Sequence, residues 1–446
     1  MKYLGVPLLS TQLKQSHCQS LIAKITCKIS SWMVQHLSYA GRLQLIQSVL
    51  QSLHIYWCSI FVLPKAVIHE IESICRNFLW HGHYEGKHYY PVSWDSVCTP
   101  KCEGGLGLKR VYDWNIASII RFIWDIVSEK DSLWARWVID TKLKRLSFWG
   151  LTKPHDASWI WSLLLKIRNL AKPMFEYNLG KGSKFHFWGD PWAHNVAVED
   201  LFPDASVRST DIPKSTLLSD LWSKNRWRIP DAVDTASESL RQFVIDNFHL
   251  TNQEDCITWR LTHNGVYSVS SAWNFIQTHH SKVPWFRILW GQMHIPRHSF
   301  ICWLAMKKRL ATKNRLLKWR LVNDASCCFC GYNEESLNHL FFDCCFTTDV
   351  WKKVLFACQI NRNPLSFNRE VSWFSKKASG KSLLARTRRI AFCATIYYLW
   401  QAINESIFQQ IVPDSQVVFV KIKNALLLRF CSQQQRARDA VFNFWM

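Results

Sequence analysis

No stretch of this chain reaches the roughly 18 consecutive apolar residues that a membrane span needs. The longest apolar runs, 55–63 and 390–400, have the length of buried helices. The N-terminal "MKYLGVPLLSTQLKQ" has too short an apolar run, and no small-residue cleavage site, to read as a signal peptide. The expectation is an intracellular, reducing setting, nuclear or cytoplasmic and not secreted, with cysteines as free thiols. Internal repeats and long low-complexity tracts are missing too. Acidic residues are scarce: 33 Asp and Glu face 55 Lys and Arg, for a net charge of +22 and a pI near 9.4. Such a balance points to a polyanionic partner, most commonly nucleic acid. The bland alternative is a protein that is merely basic, because net charge does not by itself make a patch.

What is present favours a folded, mostly helical molecule. Hydrophobic residues make up 48% of the 446, which argues against wholesale disorder. At about 150 residues per domain the length allows two to four domains. The 25 tryptophans must pack in cores or line a binding surface. Leu43, Ile46, Val49, Leu50, Leu53 and Trp57 recur at steps of three and four, Pro64 interrupts, and Val67, Ile71, Ile74, Phe78 and Leu79 resume the pattern. Further helices are expected over 114–127, 131–143, 236–250 and 285–322. Short hairpins are expected near 180–190, where "KFHFW" alternates, and over 257–270, around Asn264-Gly265. The stretch 193–235, rich in Asp, Ser and Pro, reads as an inter-domain connection. Gly104, Gly105 and Gly107 break a loop, but no GKS or GKT follows, so a nucleotide-phosphate loop is not expected there.

Five of the sixteen cysteines crowd into "CCFCGYNEESLNHLFFDCC", residues 327–345. Cys327 and Cys330 form C-x2-C; His339 and Cys344 form H-x4-C. Two short ligand pairs bridged by a loop can close a tetrahedron of soft and borderline donors around Zn2+. An isolated C-x2-C is weak evidence in so cysteine-rich a chain; a histidine and a cysteine following at ligand spacing strengthen it. Cys328 and Cys345 remain alternatives, and a cysteine-lined core is the bland reading. No coordination position is left open in a four-residue set, so the zinc is expected to be structural. Just upstream, Lys307, Lys308, Arg309, Lys313, Arg315, Lys318 and Arg320 occur with no acid between Ile301 and Asn323. A second basic cluster holds Lys376, Lys377, Arg386, Arg388 and Arg389. Both are candidate phosphate contacts, and Trp303 and Trp319 are candidate base-stacking residues. A solvated basic helix face with core tryptophans is the competing reading.

These motifs carry a family resemblance. "CCFCGYNEESLNHLFFDCCFTTDVW" resembles the zinc-binding domain that follows the reverse transcriptase in plant non-LTR (LINE-type) retrotransposons: C-x2-C, Glu335-Ser336, His339-Leu340-Phe341, Cys344, then Val350-Trp351. "DCITWRLTHNGVYSVSSAW" is similar to that domain's opening and "IPRHSFICWLAMKKRLATKNRL" to its central helix. Upstream, "KYLGVPL", "SWMVQHLSYAGRLQLIQSVLQSL", "LPKAVIHEIESICRNFLWHG" and "VCTPKCEGGLGL" resemble the segment after the catalytic palm, and "GKGSKFHFWGDPW" the connector. "TIYYLWQAINESIF" resembles the helical tail of the zinc domain. The resemblance implies a mainly α fold with short β-hairpins (α+β), in which a helical thumb-like and connector region precedes a small zinc-stabilised helical domain. It implies post-palm helices over 1–150, a connector with short strands over 151–235, the zinc-binding domain over 236–360 and a basic helical tail over 361–446.

The family's polymerase needs a Phe/Tyr-Ala-Asp-Asp strand that holds two Mg2+. That strand is expected upstream of "KYLGVPL", and no two aspartates are adjacent anywhere in these residues. The endonuclease and ribonuclease H parts are not recognisable either. The expectation is therefore a truncated, non-catalytic remnant that binds RNA or DNA without sequence preference and has no membrane partner. The alternatives are a domesticated zinc-stabilised protein-interaction module, or part of an active reverse transcriptase/ribonuclease H polyprotein.

Overall fold

A computed structural model describes residues 2–3, 5–9, 11–32, 37–86, 89–431 and 445. The first periodic segment is helical over 39–58, with Ser38 Oγ accepting from the Gly41 amide at its start and a π-helical turn at Ile46–Leu50 (α1). The chain leaves the helix at 59 and re-enters at Lys65–His81 (α2), directly after Pro64, as expected where a proline cannot continue a helix. The heptad-like positions face inward: Leu50, Trp57, Val67, Ile71, Phe78 and Leu79 are all buried.

The chain divides into two compact units that do not follow sequence order. The first holds 1–23, 52–71 and 111–278; the second holds 24–51, 72–110 and 279–446.

In the first unit, Val111–Val127 (α3) and Trp159–Ala171 (α4) pack together, α4 starting at Ser158, whose hydroxyl accepts from the Trp161 amide. Phe175–Asn178 (β1) pairs antiparallel with Cys256–Trp259 (β2), in the register Phe175↔Trp259. Thr235–Asn247 (α5) is capped by Asp234, and Val269–Ile276 (α6) lies against α3. An aromatic knot ties these elements: Phe175 meets Trp149 and Trp259 edge-on, both at 5.3 Å, and the Trp149 indole N–H donates to the Tyr177 hydroxyl at 2.6 Å.

Three local expectations change here. Neither strand forms a hairpin with its sequence neighbour: the partner of 256–259 lies about 80 residues upstream. Asn264-Gly265 does make a tight turn, with Gly265 at φ +66° and its carbonyl accepting from the Trp259 amide at 2.7 Å, but the second arm passes into α6. "KFHFW" is not a strand; it carries one isolated bridge, His186↔Leu217. The stretch 193–235 is also not an open connection. It buries Val198, Ile212 and Leu218 in the unit's core.

In the second unit, Pro296–Met306 (α7) packs against the long Leu383–Gln409 (α11). Between them in sequence come Lys313–Lys318 (α8), Cys345–Ala357 (α9) and Phe367–Lys377 (α10). Ser415–Cys431 (α12) packs on α9 and α11. Earlier segments complete this core. The Trp303 indole donates to the Gly104 carbonyl at 3.0 Å and stacks with Trp80, while Tyr39 stacks on Phe300. Among the described residues no helix is long and apolar enough to cross a membrane. The fold is mainly helical with a few short antiparallel strand pairs, as the sequence implied.

Candidate metal centre

The knuckle is built from its backbone outward. Ser326 bridges Glu334, and the Cys327 amide donates to the Asn333 carbonyl at 2.8 Å. Gly331 turns the chain at φ +72° and donates to the Cys327 carbonyl at 2.8 Å. A Cβ there would touch nothing, so glycine answers a conformational demand and not a spatial one. This turn brings both sulfurs of the C-x2-C pair to one side. The second pair sits at the two ends of a π-helical turn, His339–Asp343, closed by the Cys344 amide donating to the His339 carbonyl at 2.8 Å. Cys344 then caps α9.

The donor atoms of Cys327, Cys330, His339 and Cys344 all lie within 4.8 Å of one another. The sulfurs of Cys327 and Cys344 are 3.9 Å apart, and the Cys330 sulfur is 3.3 Å from His339 Nε2. A tetrahedron with Zn–S bonds of about 2.3 Å and a Zn–N bond of about 2.0 Å has edges of about 3.5–3.8 Å. The four positions therefore suit a small tetrahedral ion. The chemistry of the set fits as well: three thiols and one imidazole are the soft and borderline donors that Zn2+ takes. Cys328 lies outside the group of four, and Cys345 is exposed on α9. Among the described residues, this is the group of His, Cys, Asp or Glu placed to hold a metal ion.

The cluster is anchored on both sides. Leu340, Phe341 and Phe342 are buried, and Phe342 packs on Trp351 at 5.1 Å. The Trp351 indole donates to Glu370 at 3.0 Å. Glu370 is fully buried, takes both arms of Arg362 at 2.8 and 2.5 Å, and accepts from the Leu365 amide. On the other side Glu335, also buried, accepts from the Lys313 amide at 3.0 Å, and Lys313 Nζ donates to the Ser326 carbonyl at 2.9 Å. The short basic helix α8 is thus fastened to the knuckle. Burial raises the Glu335 carboxyl, only partly offset by the Lys313 amide. Glu370 carries no sequence signal of its role and looks like an ordinary surface glutamate, whereas Glu335 stands in the Glu-Ser step of the resembled pattern.

The basic candidates divide. Lys308, Arg309, Lys318, Arg320, Lys376 and Lys377 are exposed. Lys307 is half-buried, and burial lowers its ammonium below the usual range. Arg315 lies over the Trp319 ring at 4.7 Å and donates to the Leu310 carbonyl. Arg386 is half-buried. Arg388 donates to the carbonyls of Cys358 and Gln359, both at 3.1 Å. Arg389 is buried and donates to the carbonyls of Ala378 and Gly380, so its guanidinium is committed inside the fold. The stacking candidates divide too. Trp303 has no exposed surface and belongs to the core, because its indole is tied to Gly104; Trp319 is 39% exposed and meets Tyr89 edge-on at 5.0 Å.

Residues 267–351 match the family described as zinc-binding in reverse transcriptase, a segment that ends on Trp351 and contains all four donors. The chain is also 28% identical over 363 residues to an Arabidopsis thaliana protein provisionally named a ribonuclease H protein. That alignment takes in 78% of this chain and 58% of the relative, so the chain spans little more than half the relative's length. The resemblance to a reverse transcriptase zinc-binding domain therefore holds over 267–351.

Proposed function

Starting from a reverse transcriptase zinc-binding segment at 267–351, we propose that this chain is a non-catalytic, LINE-type retrotransposon remnant that binds RNA or DNA without sequence preference around a structural zinc. The observation that carries the reading is the convergence of Cys327, Cys330, His339 and Cys344 directly beside the basic helix α8. Four protein donors leave no position for water or substrate, so the ion clamps the knuckle and does not activate a nucleophile. Lys308, Arg309, Lys318, Arg320, Lys376 and Lys377 supply the exposed positive charge for phosphates, and Trp319 a stacking face.

The non-catalytic part rests on the lack, in these residues, of the adjacent aspartate pair with which the resembled polymerases hold two Mg2+. The ribonuclease H in the relative's name belongs to that protein, of which this chain covers 58%.

Two measurements test the reading. Elemental analysis of protein purified without chelator is expected to give one zinc per chain. Fluorescence anisotropy with a labelled oligonucleotide is expected to show binding at low salt that falls steeply with salt, at roughly 0.7–0.9 log units per phosphate contact in a log–log plot. Protein without zinc, or without binding at low salt, would overturn the corresponding half. Primer extension with Mg2+ is expected to give no incorporation.

A further inference from the structure

A cavity of about 460 Å3 opens next to the knuckle, walled by the 308–315 segment, the turn before His339 and the start of α10. Its size falls within the range of about 300–1,000 Å3 that holds small ligands. What sets it apart is the chemistry of its wall. The 750 Å3 cavity of the first unit mixes Glu129, Asp140, Asp190 and Asp220 with Lys144, Arg145 and Lys184, and a 450 Å3 cavity beside α11 sets Glu405 against Arg297. No carboxylate lines this one among the described residues, while Lys308 and Arg315 both do. Both charged groups of this wall therefore attract a phosphate, with no carboxylate among its lining residues to oppose them.

The remaining groups are donors over an apolar floor. The Thr312 hydroxyl donates to Asn314 Oδ1 at 2.6 Å, which occupies the carboxamide oxygen and turns the NH2 into the free end of that side chain. Asn338 has both ends engaged: its oxygen accepts from the Phe367 amide at 2.6 Å and its NH2 donates to Asp343, so it joins two walls and keeps the cavity open. Asn368 stands exposed on the rim. Phe367 is buried and forms part of the floor.

We propose that this cleft receives one unpaired nucleotide of a single strand. The phosphate lies against Lys308 and Arg315, the base rests on the apolar floor, and the carboxamides of Asn314 and Asn368 donate to acceptors on its edge. A base inside a duplex is stacked and paired and cannot enter. The inference rests on the nucleic-acid reading above and sharpens it, from attraction to any polyanion to a preference for single strands.

The test uses the full chain, loaded with zinc, and fluorescein-labelled single-stranded and duplex oligonucleotides of one length and sequence. Asn314→Asp keeps the acceptor for Thr312 and replaces the NH2 with a charged oxygen. It is expected to weaken single-strand binding by about tenfold and duplex binding by no more than about twofold. Lys318→Glu, outside the cleft, is expected to weaken both alike. Should Asn314→Asp shift the thermal midpoint or zinc content, Asn368→Asp on the exposed rim carries the same expectation. If both cleft variants leave the two affinities unchanged or lower them equally, the cleft assignment is wrong and the nucleic-acid reading stands. If the unmodified chain binds neither oligonucleotide at low salt, both fall together.

Discussion

Two buried carboxylates and one half-buried histidine set the fold's tolerances at the residue scale. Asp255 accepts from the amides of Gly180, Gly182 and Lys184 at 2.8–3.0 Å and so shapes the "GKGSK" loop from below. His186 is held between two acceptors, Asp190 Oδ2 at 3.0 Å and the Arg145 carbonyl at 3.1 Å. Burial works against its charge, but the carboxylate and the carbonyl outweigh burial and raise it above the ordinary imidazole value. A raised folded value means stability that is fully present below the unfolded value of about 6.5 and lost as pH rises through the folded one. Urea unfolding of the chain and of His186→Gln should therefore differ most at and just below about pH 6.5 and converge at alkaline pH. A difference that grew with pH would contradict the charged assignment. The Arg362–Glu370 pair gives a second expectation. Glu370→Gln leaves a guanidinium without its counter-charge beside Trp351, and equilibrium unfolding should register a loss of about 3–5 kcal/mol. A loss under about 1 kcal/mol would show that water reaches the guanidinium instead.

At the scale of elements, periodicity made the long helices readable, because one buried face repeats every three or four residues and needs no knowledge of its partner. The knuckle was readable for a similar reason: its ligands lie within 18 residues, so spacing alone restricts their geometry. The strands were not, since β1 and β2 meet across about 80 residues and nothing local in either names the other. The burial of 193–235 was equally hidden, for its apolar residues are thinly spread among Asp, Ser and Pro. Trp303 misled because composition counts tryptophans without saying which side of a helix they occupy. The contact between knuckle and α8 yields an expectation at this scale. Cys330→Ser or His339→Ala should release the ion, and hydrogen exchange should rise over 325–350 and over α8 together, since Glu335 and Ser326 hold Lys313. Exchange confined to one of the two would show that they are not coupled. By linkage, a chelator that opens the knuckle should also lower affinity for nucleic acid.

Across the whole molecule, the division into units governs what can be cut. Residues 279–446 carry the candidate metal ligands and the two basic clusters, yet their core is completed by 24–51 and 72–110: Trp80 lies on Trp303, Gly104 accepts its indole, and Tyr39 stacks on Phe300. Residues 279–446 produced alone with zinc should bind an apolar dye such as ANS and melt with little cooperativity, whereas the full chain should not bind the dye and should melt sharply. A cooperative melt of the fragment would overturn this.

The tie between Trp303 and Gly104 has a further consequence, for inheritance. A module that folds by itself can be shuffled between genes as a cassette. This segment keeps a large indole against a backbone carbonyl 199 residues earlier in the chain, so a gene that acquired the cysteines and histidine without the upstream helices would inherit an exposed tryptophan face beside the candidate metal site. The upstream helices and the candidate metal site form, in packing terms, one heritable piece.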